Sequence, residues 1–158
     1  MGAAARSLDL SLAAFLEWEA RQELRHERVG GVVRAMAGGT VGHDRIANNL
    51  RAELRARLRG SGCRPGGPDL KVVSPRGDVM YPDALVRCGP RDDRATMVTD
   101  PLLVAEVLSE GTLQHDLLAK RLAYKSIPSL RVILYVAHDR ARVDVVRRGP
   151  DGRWDDDE

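Results

Sequence analysis

The sequence is poor in aromatic residues and cysteine, and it has no long apolar run. One Phe, two Trp and three Tyr among 158 residues leave little material for the stacking platform that single-stranded nucleic acids require. Cys63 and Cys88 lie outside any Cys/His cluster, so neither a zinc site nor a disulfide scaffold is indicated, and reduced thiols are expected. No segment reaches membrane-spanning length, and the amino terminus is too weakly apolar for a signal peptide. These absences predict a cytoplasmic protein with no membrane partner.

Lysine is also scarce, because only Lys71, Lys120 and Lys125 accompany the arginines. The 25 basic and 23 acidic residues nearly cancel to a net charge of +2, so bulk charge does not by itself indicate nucleic-acid binding. A content of 43% hydrophobic residues suffices for one core in a chain of this length. We expect a loose amino terminus over 1–10, a single domain over 11–154 and a disordered acidic tail over 155–158.

Hydrophobic periodicity predicts three helices and a set of strands. Ser11 can cap a first helix, apolar residues at every fourth position predict an amphipathic helix over 43–59, and a third helix is expected over 112–126. Gly30-Gly31 predicts a tight hairpin between strands at 25–29 and 32–37. Further strands are expected at 70–74, 79–87, 102–108, 131–137 and 142–148, with a polar loop over 88–100. This order predicts an α/β domain with one central mixed sheet flanked by helices and preceded by a helix and a β-hairpin.

Two carboxylates occupy strand-like apolar runs. Asp83 lies in Val79-Met80-Tyr81-Pro82-Asp83-Ala84-Leu85-Val86, and Glu106 lies in Leu102-Leu103-Val104-Ala105-Glu106-Val107-Leu108. An ionised carboxylate is costly to bury unless it is paired or bound to a metal. Asp83 could instead cap a turn or pair with an arginine at a strand end, and Glu106 could form a buried pair with an arginine.

The order of short motifs along the chain resembles the Uma2-like family of endonucleases (DUF820), which has the fold of the PD-(D/E)xK restriction-enzyme superfamily. The resemblance covers residues 11–154 and is carried by Arg25-His26-Glu27, Ala35-Met36-Ala37-Gly38 with His43, Asp69-Leu70-Lys71-Val72, Tyr81-Pro82-Asp83, Val104-Ala105-Glu106-Val107-Leu108-Ser109, and Asp116 with Lys120 and Tyr124. It implies that Pro82-Asp83 supplies the first acid and Glu106 the second. One departure is Leu108, which stands where the superfamily usually has lysine, and the resemblance implies that Lys120 replaces that lysine from the following helix.

Such a site implies metal-dependent phosphodiester hydrolysis. Mg²⁺ or Mn²⁺ accepts two carboxylates and one backbone carbonyl while keeping several waters, so Asp83, Glu106 and the Val107 carbonyl are the expected ligands. Lys120 would orient water or stabilise charge on the phosphate. It could also be an ordinary solvated lysine.

Other polar residues have weaker claims to a role. Asp69 and Lys71 could form the rim of the site or a strand-edge salt bridge. His43 could face the site, contact phosphate or cap its helix, and Glu27 could be a supporting acid. The arginines of the 43–59 helix, with Arg121 and Arg94, could follow a phosphate backbone or simply form a solvated face.

Three functional hypotheses follow. The first is a Mg²⁺- or Mn²⁺-dependent endonuclease acting on DNA, preferably double-stranded, with a homodimer suiting a double-strand break. The second is an inert nuclease-like fold used for binding or assembly, which Leu108 favours. The third is an enzyme directed at RNA.

Overall fold

The structure is a computed structural model that describes residues 6–7, 10–36, 38–110 and 114–157. The side chains of His115 and Asp116 lie outside the described part, as do Ala37 in the predicted hairpin and the predicted start of the third helix at 112–113. Most of the predicted loose start over 1–10 lies outside it too. Arg6 and Ser7 are described, and they pair with Val33 and Val32.

The described chain forms three helices and eleven short strands. In chain order these are β1 (Arg6–Ser7), α1 (Leu12–Glu19), β2 (His26–Val29), β3 (Val32–Ala35), α2 (Val41–Arg57), β4 (Cys63–Gly66), β5 (Lys71–Val73), β6 (Val79–Met80), β7 (Ala84–Cys88), β8 (Met97–Val98), β9 (Leu103–Val107), α3 (Gln114–Lys125), β10 (Val132–Val136) and β11 (Val143–Arg147). The predicted mixed α/β class is confirmed.

Two capped helix starts follow directly from the sequence. The Ser11 hydroxyl accepts the Ala14 N–H at 3.2 Å, as the sequence predicts. Thr40, and not His43, caps α2, because its hydroxyl accepts the His43 N–H at 3.1 Å. Each cap satisfies a backbone donor that has no partner within the helix, and the cap at Thr40 leaves the His43 side chain available for other contacts.

The strands form two sheets, whereas the sequence predicted one central sheet. The first sheet has the order β1-β3-β2-β6-β5-β8 and the second β11-β10-β9-β7-β4. The apolar run 79–87, predicted as one strand, is divided by Tyr81-Pro82-Asp83 into β6 of the first sheet and β7 of the second. Pro82 cannot donate a ladder hydrogen bond, so the chain leaves one sheet there and enters the other. The acidic residue of the Pro-Asp motif therefore lies at the crossing point between sheets.

Two apolar clusters hold these layers together. The larger joins both sheets to α3 and includes the buried residues Val72, Met80, Leu85, Val104, Tyr124, Ile127 and Ile133. The smaller packs α1 on the first sheet around Phe15, which is fully buried against Val33, Val73 and Val79. Leu108 packs on the larger cluster, which explains why this position carries no lysine side chain into the site.

The expectation of reduced thiols is wrong for this structure, because Cys63 and Cys88 form a disulfide. The two residues are direct partners in the antiparallel pairing of β4 with β7. The pairing of Cys63 with Cys88 was not predicted, because 61–68 is rich in Gly and Pro and was not predicted to be a strand. The second missed strand, β8, lies in the predicted polar loop, where it pairs with β5.

Two residues of the acidic tail for which disorder was predicted, Asp156 and Asp157, form ion pairs with α3. Asp156 pairs with Arg121 at 3.1 Å and with Lys125 at 2.6 Å, and Asp157 also contacts Lys125 at 2.6 Å. Cations in the last turns of α3 thus compensate charges that would otherwise repel one another. None of the helices in the described residues is long and apolar enough to cross a membrane, and a cytoplasmic location stays a prediction.

Candidate active site

Asp83 directly precedes β7, and Glu106 lies in the neighbouring strand β9. In the antiparallel pairing of β7 with β9, Ala84 is opposite Ala105. Continuing this register by one residue beyond the start of β7 places Asp83 opposite Glu106. The Val107 N–H donates to Asp83 Oδ2 at 2.7 Å. A strand pair, which the sequence alone does not specify, therefore brings together the two predicted acids.

Helix α2 holds Asp83 from the other side. His43 Nε2 is 3.3 Å from Asp83 Oδ2, and the Arg51 guanidinium donates to the Asp83 carbonyl at 2.6 Å. These residues lie two turns apart on α2 and fix both the backbone and the carboxylate of Asp83. His43 belongs to the site, as one of its predicted readings had it. The contact of Arg51 was not predicted.

Lys120 reaches the same site from α3. Its Nζ lies 2.6 Å from Glu106 Oε1 and 2.9 Å from Glu27 Oε1. Only 15% of its side chain is exposed, with 13% for Glu106 and 17% for Glu27. Lys120 is therefore a mostly buried cation shared by two carboxylates, and its reading as a solvated surface lysine is wrong. Glu106 pairs with this lysine, not with an arginine.

Glu27 connects the hairpin to the Pro-Asp motif. Its Oε1 accepts the Tyr81 N–H at 2.8 Å as well as the Lys120 ammonium. The supporting role predicted for Glu27 thus has a geometric basis. Because β2 belongs to the first sheet and Glu106 to the second, Lys120 links the two sheets.

Tyr124 contributes its hydroxyl group to the site, and this contact was not predicted from the sequence. Its hydroxyl donates to Glu106 Oε1 at 2.6 Å, and the ring is fully buried. In the sequence Tyr124 was only one landmark of the family resemblance, beside Lys120, and no role was predicted for its hydroxyl. Its spacing from Lys120, one helical turn away, is the signal that would have found it.

The pKa of Glu106 is raised to about 7. Burial is the largest cause, and the nearby carboxylates of Glu27 and Asp83 add to it, while Lys120 opposes the shift. Burial would by itself lower the pKa of Lys120, but the charges of Glu106 and Glu27 outweigh it and raise that pKa. Burial, followed by the charge of Glu106, raises the pKa of Tyr124 as well. Two carboxylates, Glu27 and Glu106, thus share Lys120 in a poorly solvated site, and the nearby charge of Asp83 adds to theirs, which favours an additional cation.

A second charged network borders the site. Glu19 at the end of α1 accepts the Lys71 ammonium at 2.9 Å and the Tyr81 hydroxyl at 2.8 Å. The charge of Lys71 is therefore used in a salt bridge, and Glu19, which sequence reasoning did not single out, is its partner. Asp69 pairs with Arg25 at 2.5 Å and is 85% exposed. Asp69 and Lys71 thus make salt bridges with Arg25 and Glu19, and their placement at the rim of the site stays a prediction.

The donor set suits a hard divalent cation better than zinc. Asp83 and Glu106 offer carboxylate oxygens, which Mg²⁺ and Mn²⁺ prefer, and two carboxylates with a carbonyl leave positions for water. Among the described residues, no group of three or more His, Cys, Asp or Glu side chains is arranged to hold a metal ion. The residues therefore fit an ion that retains much of its water, and they do not form a closed protein cage.

The architecture that carries this site is that of a solved nuclease-like protein. The chain is similar to the crystal structure of "a putative nuclease belonging to DUF820" from Anabaena variabilis ATCC 29413, with a TM-score of 0.69 over 90% of this chain and 86% of that chain. At 17% sequence identity this similarity shows the fold alone.

Sequence comparison then gives the family. Residues 12–158 match the family described as "Uma2: Putative restriction endonuclease", so the chain belongs to the Uma2 family. It is 35% identical over 147 residues to the uncharacterized protein slr1290 of Synechocystis sp. PCC 6803, covering 92% of this chain and 77% of that protein. It is also 27% identical over 149 residues to the uncharacterized protein sll1609 of the same organism, covering 92% and 84% of the two chains. The expected family membership is confirmed.

Proposed function

We propose that this protein is a Mg²⁺- or Mn²⁺-dependent endonuclease that hydrolyses phosphodiester bonds in DNA. The observation that carries the proposal is the placement of Asp83, at the start of β7, beside Glu106 on β9, with Lys120 in contact with Glu106. The family description and the fold support a nuclease, while the metal, the preference for DNA and a homodimer remain parts of the proposal.

Asp83, Glu106 and the Val107 carbonyl would hold the ion. When bound, the divalent ion supplies Lewis-acid neutralisation of phosphoryl charge and lowers the pKa of a bound water. Asp83 is already fixed by the Val107 N–H and faces His43, so it needs little reorganisation to act as a ligand. Tyr124 likewise fixes Glu106, because its hydroxyl donates a hydrogen bond to the Glu106 carboxylate.

Lys120 would place positive charge beside the scissile phosphate. It stays protonated because two carboxylates raise its pKa, so it acts as a hydrogen-bond donor and not as a base. A donor of this kind, fixed in advance in a poorly solvated site, stabilises charge that develops in the transition state. Glu27 holds Lys120 in position by accepting one of its hydrogen bonds.

The test compares plasmid nicking by wild-type protein, Asp83→Asn, Glu106→Gln and Lys120→Met in Mg²⁺ and in Mn²⁺. Each substitution in the site should reduce metal-dependent nicking by about 100-fold or more, as loss of one electrostatic group does in other enzymes. Glu53→Gln is the matched control, since Glu53 is 68% exposed and pairs only with Arg57. Metal-dependent nicking that survives in both Asp83→Asn and Glu106→Gln would refute the assignment.

The alternative of an inert module rests on Leu108, and Mn²⁺ calorimetry separates it from the enzyme. A ligand site should bind Mn²⁺ in the wild-type protein and lose that binding in Asp83→Asn. Absence of any Mn²⁺ binding in the wild-type protein would favour the inert module. Offering matched DNA and RNA substrates decides between the two nucleic acids.

A further inference from the structure

A cleft of about 740 Å³ lies at the β4 edge of the second sheet, apart from the Asp83–Glu106 site. Its walls come from the end of α2, from β4 and β7 and from the 91–100 loop, and five of its lining residues are arginines: Arg55, Arg59, Arg64, Arg87 and Arg91. The volume is typical of a ligand site. A concentration of guanidinium groups indicates an anionic ligand.

The positive charge of the cleft is only partly compensated. Asp100 binds Arg87 at 2.8 Å and Asp93 binds Arg91 at 2.6 Å, so these two pairs cancel. The remaining charged groups of the lining are Arg55, Arg59 and Arg64 against Asp92, which leaves a local charge of +2 (three minus one). A net positive cleft attracts polyanions over a distance set by salt screening.

Arg55 and Arg59 have guanidinium groups that remain available. Both side chains are exposed, and within the described part of the chain neither makes a hydrogen bond or an ion pair. Arg57, on another face of the same helix, is paired with Glu53 and does not line the cleft. Arg55 on α2 and Arg59 just beyond its end therefore line the cleft without a protein partner among the described residues.

The cleft leads to the proposed catalytic acid. Gly66 lines the cleft, and the next residue, Gly67, lies so close to Asp83 that an added Cβ would come within 2.9 Å of the Asp83 carbonyl oxygen. On the helix side, Arg51 binds this same carbonyl, and Arg55 follows one turn later, about 6 Å along the helix axis. A polymer held by Arg55 and Arg59 would therefore extend toward Asp83.

We infer that this cleft binds the phosphodiester backbone of a nucleic-acid strand on one side of the bond to be cut. The inference rests on the proposed function for its direction toward Asp83, but its binding chemistry stands on the cleft itself. Contacts between guanidinium groups and phosphates carry no sequence information, so through such contacts the cleft would hold the strand in register without a sequence preference.

The test measures binding of a fluorescein-labelled 20-nucleotide single strand, and of the duplex of the same sequence, by fluorescence anisotropy in EDTA. The variants are Arg55→Ala/Arg59→Ala and, as the matched control, Arg57→Ala. Each arginine–phosphate contact releases about 0.7 counterion when it forms. The double variant loses two such contacts, so it should bind the single strand about 25-fold more weakly in 0.1 M salt. The slope of log K against log salt should be shallower by about 1.4. Urea unfolding of both variants verifies that the fold is retained.

The outcomes separate this inference from the proposed function. Equal affinities and equal salt slopes for the double variant and Arg57→Ala would overturn the inference, even if the wild-type protein cuts DNA. Loss of binding in the double variant supports it, even if no metal-dependent cutting is found. A wild-type protein that binds neither probe in low salt would overturn the inference. It would also contradict the proposal that nucleic acid is the substrate of this protein.

Discussion

Glu106→Gln should change the pH dependence of stability, because Glu106 holds a proton in the folded protein that it loses in the unfolded chain. Its pKa is about 7 when folded and 4.5 ordinarily. Between these values the folded state binds more protons, so the free energy of unfolding falls as the pH rises. The favourable contribution is fully present below about 4.5 and is lost as the pH passes 7. Glutamine resembles the protonated acid and cannot titrate.

The magnitude follows from the linkage relation for a single group. Between pH 5 and pH 8 the wild-type protein should lose stability on the order of 2–3 kcal/mol that the Glu106→Gln variant keeps. Lys120 does not change this difference, since its raised pKa keeps it protonated throughout that range. The lowered pKa of Glu19 contributes stability that is lost in acid, but it does so equally in both proteins.

The assay is urea unfolding at pH 5, 6, 7 and 8 in EDTA, so that no divalent cation compensates the carboxylates. Glu53→Gln is again the control and should follow the wild-type curve. If the stabilities of wild-type protein and Glu106→Gln differ by the same amount at all four pH values, Glu106 is ionised normally and the account of a buried Glu106 crowded by the charges of Glu27 and Asp83 is wrong.

Two further predictions concern single contacts. Tyr124→Phe removes a hydrogen-bond donor to Glu106, so it should lower the free energy of unfolding by about 2 kcal/mol and weaken Mn²⁺ binding in calorimetry. The control is Tyr135→Phe, because the Tyr135 hydroxyl accepts a long hydrogen bond of 3.4 Å from Arg121. If Tyr124→Phe has no larger effect than Tyr135→Phe, the role given to Tyr124 is wrong. Replacing both Cys63 and Cys88 by serine opens a loop with a sequence separation of 25 and should cost about 3 kcal/mol by the chain-entropy relation. Urea unfolding with and without reductant checks this, since the serine variant should not respond to reductant, and an unchanged wild-type midpoint after complete reduction would refute it.

The sequence predicted helices and site acids better than it predicted sheet organisation. Helix periodicity and the cap at Ser11 are local signals, and the two carboxylates stood out because their apolar surroundings make isolated charge costly. The division at Tyr81-Pro82-Asp83 was not predicted, because an apolar run does not show which sheet each half joins. The disulfide was missed for the same reason, since it depends on the pairing of β4 with β7.

The partners within the site show the same limit. Lys120 and Tyr124 are neighbours on one helix, so their closeness is local, but the meeting of Lys120 with Glu27 joins residues separated by 93 positions. Arg51, which binds the Asp83 carbonyl, was seen in the sequence only as one of several arginines on an amphipathic helix. Contacts of this range follow from the way the two sheets pack on α3, which no local pattern encodes.

The shared lysine also has a consequence for the nascent chain. Glu27 leaves the ribosome early and Lys120 late, and the aspartates that pair with the last turn of α3 are at Asp156 and Asp157. Contacts between distant positions form only after the intervening chain has been ordered. A prematurely terminated chain that ends before α3 lacks Lys120 and Tyr124 and would keep Asp83 and Glu106 without a counter-charge. Truncated translation products of this protein should therefore lack a complete candidate site.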